Sequence, residues 1–245
     1  SPGGKRPKAI VALNKGTGEV ISGQGIIPEG FQHYILKYDD NSAYPYAKLE
    51  YVYYRMALDA GIEMMPSELR TYDGVTHFLT QRFDREGNEK IHTQTLAAML
   101  PTSDSYEDIF SVIRRLNLPY EDSRQHFLRM VFNVTTRNVD DHSKNFSFCM
   151  NKKGIWRLSP AYDLTYSVDL TAPAYSNRHS LTINGKNEDI TREDLGTVGQ
   201  NNDIQDYNAL IDTVYNAVAK FESHARELRI DEKLIKSIQE DFIKV

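Results

Sequence analysis

Between Asn138 and Asn145 the chain reads N-V-D-D-H-S-K-N, and further on it reads Tyr162-Asp163-Leu164. An acid (Asp140), an amide spaced from it as D-x-x-x-x-N (Asn145) and a second acid (Asp163) are the groups that phosphoryl transfer from ATP requires. One carboxylate orients or deprotonates the acceptor hydroxyl, while an amide and a carboxylate hold magnesium against the phosphates. Protein kinases spell the same chemistry H-R-D-x-x-x-x-N and then D-F-G. Taken alone the octet describes a polar turn equally well, because Asp, His and Asn are ordinary loop residues.

Further groups fall upstream in the order such a site needs. Gly3 and Gly4, with Lys5, Arg6 and Lys8 beside them, make a loop whose amides and cations suit phosphate, although no G-x-x-x-x-G-K-[ST] run is present. Adjacent glycines also occur in any turn. Lys37 comes late in a run of strand character, on the face of Ile35, where a lysine can bridge the α and β phosphates; a strand-end lysine in solvent is the plainer alternative. Glu50, on the following helix, is the acid placed to partner it. Gln81-Arg82-Phe83-Asp84-Arg85 lies where a hinge would offer backbone groups to an adenine edge and an aromatic to its face. The same pentapeptide reads as a salt-bridged strand end. His142 could steady Asp140 or Asp163, or reach a phosphate.

The elements that must position these groups change character along the chain. Ala9–Leu13, Glu19–Gln24 and His33–Tyr38 read as a hairpin and a third strand, and Ser67–Tyr72 with Val75–Phe83 as a hairpin about Asp73-Gly74. Between them, apolar residues from Ala47 to Ala57 repeat with helical spacing up to Gly61. Thr95–Leu100, Tyr106–Leu116 and Glu121–Thr136 are predicted helices, and the last runs into the octet. Phe146–Met150 and Gly154–Leu158 read as a hairpin delivering Asp163, and two helical stretches follow from Asp203. The expected fold is α+β with two lobes, of protein-kinase type: a β-rich N-lobe over 1–86 and a helical C-lobe over 87–245, changing over near 84–92 with a cleft between them. The tyrosines at 44, 46, 51, 53 and 54 suit helix packing, or a protein contact surface.

Composition narrows the function classes. With 40% hydrophobic and 26% charged residues, the 245-residue chain is expected to be globular and soluble. No apolar run approaches the ~20 residues of a membrane span, and no signal peptide is visible. A net charge of −5 argues against direct nucleic-acid binding, which normally uses a basic stripe. Cys149 is the sole cysteine, which excludes an internal disulfide and a thiolate cage and fits a reducing, cytoplasmic setting. The chain begins Ser-Pro, so it is expected to be part of something longer.

The texts S-P-G-G-K-R-P-K at 1–8, H-Y-I-L-K at 33–37, Q-R-F-D-R at 81–85, N-V-D-D-H-S-K-N-F at 138–146, L-S-P-A-Y-D-L at 158–164 and L-T-I-N-G-K at 181–186 together resemble the C-terminal kinase part of the HipA family. That family comprises serine/threonine kinase toxins of bacterial toxin–antitoxin pairs. The resemblance implies that Asp140 is the general base, that Asn145 and Asp163 hold Mg2+, and that Lys37 contacts the ATP phosphates. It implies that His142 lines the ATP site, and that Gln81 and Phe83 contact adenine. Ser1 matches the family's regulatory serine, phosphorylated in cis to eject the glycine loop. The implied partners are a protein with a Ser/Thr acceptor in translation and a DNA-binding antitoxin. Full-length relatives carry an N-terminal subdomain before the loop; either a separate small protein supplies it, as in split systems of the family, or it was lost or disordered. Two alternatives remain at this stage: a small-molecule or lipid kinase of the same fold, and a non-catalytic subunit of an antitoxin–DNA complex.

Overall fold

The computed structural model describes residues 7–39, 44–169, 173 and 177–244. Ser1, Gly3 and Gly4 lie outside the described residues, as does the rest of the loop before Pro7. Five antiparallel strands form the small lobe in the order β2-β1-β3-β5-β4. They are β1 (Lys8–Asn14), β2 (Val20–Ser22), β3 (Phe31–Lys37), β4 (Ser67–Tyr72) and β5 (Val75–Gln81). The register pairs Lys8 with Lys37 and Ile10 with Ile35 across β1 and β3, and Ile35 with Thr80 and Lys37 with Phe78 across β3 and β5. Directly paired residues share a sheet face. Lys8, Ile35, Lys37, Phe78 and Thr80 therefore look one way, toward the cleft. Val11, Leu13, Tyr34, Leu36 and Leu79 form a small separate core on the opposite face.

Helix α1 (Tyr46–Asp59) crosses beneath the sheet. It buries Leu49, Val52, Tyr53, Met56 and Ala57, and with them Glu50. It ends where Gly61 N–H donates to Leu58 O (3.0 Å) and Ile62 N–H to Ala57 O (2.9 Å), the paired bonds of a glycine-terminated helix. The chain beyond β5 differs from the expected direct passage into helices. Arg85–Glu86 (β6) and Glu89–Lys90 (β7) make a two-stranded turn, and His92–Thr95 (β8) joins a second sheet in the order β10-β9-β8. The other two strands are β9 (Ser147–Met150) and β10 (Trp156–Leu158), the expected hairpin.

The helical lobe is built from α2 (Leu96–Met99), α3 (Tyr106–Arg115), α4 (Tyr120–Thr135), α5 (Arg192–Asn201), α6 (Tyr207–Val218), α7 (Phe221–Glu227) and α8 (Glu232–Asp241). The expected helix at 95–100 is a single short turn, α5 was not anticipated, and the tail holds three helices where two were expected. A capping box at Ser105 and Asp108 starts α3, and one at Thr191 and Asp194 starts α5. From Gln125 to Thr135 every residue of α4 is buried, so this helix is the axis of the main core. That axis is also pinned to the second sheet. Asp122 takes both oxygens to the Arg157 guanidinium at 2.9–3.0 Å and accepts from Leu158 N–H at 3.3 Å.

Within α4, His126 is fully buried against Tyr106, Phe110 and Phe146. Its Nε2 lies 2.9 Å from Tyr106 O, so that nitrogen carries the proton, and Nδ1 has no hydrogen-bond partner among the described residues. Burial pushes its pKa down to about 3, and nearby Arg129 adds to this. Between that value and the unfolded ~6.5 only the unfolded chain binds a proton, so stability is lost as pH falls through this window. From pH 7 to pH 5 the expected loss from this residue is about 2 kcal/mol. Urea midpoints of the wild type and His126→Phe at both pH values check it. Equal pH slopes in the two proteins would mean that the histidine titrates normally.

Candidate active site

Three segments distant in sequence meet at Lys37. Strand β3 supplies the lysine and α1 supplies Glu50. The third is the stretch after β10, held in place where Ala161 N–H donates to Glu63 O (2.8 Å) and Met64 bridges to Ala161. This brings Asp163 to the lysine, whose Nζ is hydrogen-bonded and ion-paired to both Glu50 and Asp163. Burial opposes the Lys37 charge, but the two carboxylates more than offset it and hold the ammonium well above its ordinary pKa. Reciprocally, the Lys37 charge holds the Asp163 carboxyl below the usual carboxylate range against the effect of burial, with Lys8 and His142 adding to it. Asp163 also sits at φ +54°, the left-handed region that Asp tolerates better than most residues. Non-glycine residues held there cluster at functional sites.

The lysine, with Glu50 and Asp163, lines a cavity of about 240 Å³. Ile35, Met64, Met65, Phe78 and Ala161 give it apolar walls, and Gln81, Phe83 and Lys8 line it as well. Phe83 and Tyr162 face each other with ring centroids 5.5 Å apart. The segment 81–85 is the salt-bridged strand end that its sequence allowed: Arg82 grips Asp84 at 2.7 and 2.8 Å, and Arg85 joins it at 2.8 Å. Arg82 N–H donates to His33 O (2.9 Å), which fixes this segment to β3.

Asp140, Asn145 and His142 are not in that cavity; they stand beside Asp163 on the helical lobe. Tyr162 ties the two together, since its hydroxyl donates to Lys144 O (2.9 Å) and lies 2.6 Å from Ser147 Oγ. Asn145 and Asp163 border one small recess. The Asn145 Nδ2 donates to Asp140 O at 2.8 Å, which leaves its Oδ1 as an acceptor. The Asp140 side chain is 70% exposed, and His142 Nε2 is 3.8 Å from its Oδ1, beyond hydrogen-bond reach.

The adjacent acid behaves oppositely. Asp141 is buried and accepts from Tyr106 Oη, His179 Nδ1 and Ser180 N–H, each at 2.7 Å. Sequence reasoning passed over it, as it did Tyr162, Met64, Met65 and Thr80. The D-D doublet was the only trace of Asp141 in the sequence, and nothing there showed which acid of the pair would be buried.

A family model described as the HipA-like C-terminal domain matches residues 1–242. Among solved structures, the fold is similar to HipA in the Shewanella oneidensis MR-1 complex of HipA, HipB and operator DNA. There the TM-score is 0.72 at 17% identity, over 98% of this chain and 62% of that one. It is also similar to CtkA, described as a proinflammatory kinase of Helicobacter pylori, with a TM-score of 0.50 at 11% identity over 85% and 90% of the two chains. A Sinorhizobium fredii protein named Y4mE, described as a candidate kinase, is 28% identical over 130 residues, which are 46% of this chain and 31% of that protein. The chain thus spans under a third of that relative and under two thirds of the HipA chain. The two-lobed α+β arrangement is kinase-like, and the match over nearly the whole length decides the family: the chain belongs to the HipA-like C-terminal domains.

Proposed function

We propose that the chain transfers the γ-phosphoryl group of ATP to a serine or threonine hydroxyl of a protein, with magnesium. The observation that carries this reading is Lys37 bridging Glu50 and Asp163 in the lining of a largely apolar cavity. A cavity just under the ~300 Å³ common for small-molecule sites suits a base and sugar. Gln81 and Phe83 would border the adenine, and the triphosphate would run out over Lys37 and Lys8 toward Asp163 and His142. Ordinary kinase chemistry then assigns Lys37 to the α and β phosphates and Glu50 to holding the lysine there.

The donor set fits magnesium, which is usually bound by one or two carboxylates plus phosphate oxygens and waters rather than by an all-protein cage. Asp163 would supply the carboxylate and Asn145 its free Oδ1; when bound, the ion would neutralise charge between the β and γ phosphates. Asp140 would orient the acceptor hydroxyl and take its proton. Gly3, Gly4 and Ser1 belong to this reading as phosphate loop and regulatory site by family likeness alone.

The wider role follows the family: a toxin kinase of a bacterial toxin–antitoxin pair, working in the cytoplasm and restrained by an antitoxin. HipA of S. oneidensis stands in a complex with HipB and operator DNA, which supports an antitoxin partner here. The net charge of −5 favours reaching DNA through such a partner rather than directly.

The test is MgATP binding by calorimetry, followed by γ-labelled ATP supplied with proteins, aminoglycosides and phosphoinositides in parallel. Label on serine or threonine of a protein is expected. Label only on a small molecule or lipid would move the chain to another kinase class, and no MgATP binding would leave it a non-catalytic subunit.

A further inference from the structure

Both main-chain polar groups of Asp140 are engaged. Asn145 Nδ2 takes its carbonyl, and its N–H donates to Ser167 Oγ at 3.0 Å. Ser167 has no part in the proposed chemistry, yet it starts a chain of bonds with a single direction. Ser167 Oγ donates to Asn138 Oδ1 (3.3 Å), and Asn138 Nδ2 donates to Asn133 Oδ1 (2.9 Å). Asn133 Nδ2 donates to Tyr106 Oη (2.8 Å), and that hydroxyl donates to Asp141 Oδ2 (2.7 Å). The chain begins on the Asp140 amide, which can only donate, and ends on the Asp141 carboxylate, which accepts. The orientation of every amide and hydroxyl between them is thereby fixed.

We propose that this closed ring positions the Asp140 carboxylate, and that Ser167 is its positioning residue. The ring rests on the phosphoryl-transfer reading for its purpose but not for its existence. It runs through the end of α4, the turn at 138–141 and the segment after Asp163, so it joins the two acid-bearing segments. Asn138 Nδ2 also lies 3.5 Å from Asp163 O, a weaker link of the same kind. Asn133, Asn138, Tyr106 and Asp141 are all buried, where hydrogen bonds polarise one another and unmade ones are costly. Ser167 is the half-buried link, and the one that touches the Asp140 backbone. With both backbone groups held, only the Asp140 carboxylate is left to meet an acceptor. Displacing such a group by about 1 Å can cost about a hundredfold in rate.

The experiment compares wild type, Ser167→Ala and Ser167→Thr in MgATP turnover to ADP, and follows amide exchange at Asp140 by NMR. Ser167→Ala is expected to lower kcat about 10- to 100-fold. Its KM for MgATP is expected to stay unchanged, because Ser167 does not border the nucleotide cavity. Ser167→Thr, which keeps the oxygen, is expected to restore most of the rate. The Asp140 amide is expected to be protected in wild type and to exchange faster in Ser167→Ala. Equal kcat in wild type and Ser167→Ala would overturn the positioning role. An unprotected Asp140 amide in wild type would overturn the ring itself. A wild type without turnover but with a protected amide would sink the phosphoryl-transfer reading and the positioning role together, and leave the ring a purely structural feature.

Discussion

Asp163→Asn is expected to lower phosphoryl transfer about a thousandfold or more, and to weaken MgATP binding with it. The substitution keeps the shape of the side chain and removes its charge. Of the two proposed cation donors, Asp163 is the one that carries charge, since Asn145 contributes a neutral carbonyl. Its loss also leaves Lys37, mostly buried at 14% exposure, with Glu50 as its remaining carboxylate partner. The Asp163 side chain is 36% exposed, so solvent screens the lost pairing and the expected destabilisation is only about 1 kcal/mol. Calorimetric titration of MgATP, together with the urea midpoint, separates the two effects. Unchanged MgATP affinity in a folded Asp163→Asn would remove this carboxylate from the cation site.

The pH behaviour of that ion pair has two limbs. Asp163 has a lowered carboxyl pKa, so its share of the stability is present above the unfolded value of ~3.9 and is lost as pH falls through the lower folded value. Lys37 has a raised pKa, so its share is present below ~10.4 and is lost as pH rises through the higher folded value. Near neutral pH both contributions are complete. Replacing Asp163 therefore acts on stability as a constant offset there, and the His126 slope between pH 5 and 7 should survive it.

Much of this architecture was legible because local rules and the fold agreed. The Asp73-Gly74 turn and the helical spacing from Ala47 each pointed one way, whereas the acid-to-amide spacing at 140 and 145 described a polar turn equally well. Glu50 could be picked as the lysine's partner because it was the acid on the correct part of the helix, and α1 does carry it to Lys37. What escaped was decided by tertiary contact. Helix α5 contains Gly196 and Gly199, which argue against a helix by propensity. Packing reverses that: a Cβ at Gly199 would lie 2.9 Å from Tyr207 Cβ and 3.0 Å from Phe127 Cε2, so the close approach of the neighbouring side chains demands glycine. Strands β6 to β8 are short and polar, with no apolar alternation to mark them, and β8 exists by pairing with β9 far along the chain. The ring through Asn133, Asn138 and Ser167 had no sequence signal either, since its members are common polar residues joined only by folding.

Asp140→Asn is expected to lower transfer between about a hundredfold and ten-thousandfold, the usual worth of a positioned base, while MgATP affinity and fold stay as they are. Three features separate it from Asp163→Asn. Its carboxylate is 70% exposed and holds no hydrogen bond among the described residues, so stability is expected to change by under about 0.5 kcal/mol. It does not border the cavity proposed to hold the nucleotide, so the KM for ATP has no reason to move. Its backbone remains tied to Ser167 and Asn145 whatever the side chain is. Single-turnover transfer with the acceptor identified by labelling, set against MgATP affinity, makes the check. A rate within twofold of wild type would deny Asp140 the role of base. The neighbouring acid is the control for this logic. Asp141 accepts three buried donors, and Asp141→Asn would set its NH2 against one of them and leave both unsatisfied, at a cost of about 2 kcal/mol or more. The same substitution at adjacent positions should thus abolish chemistry without unfolding in one case and loosen the fold in the other, which a residue-by-residue swap of two equivalent loop acids would not do.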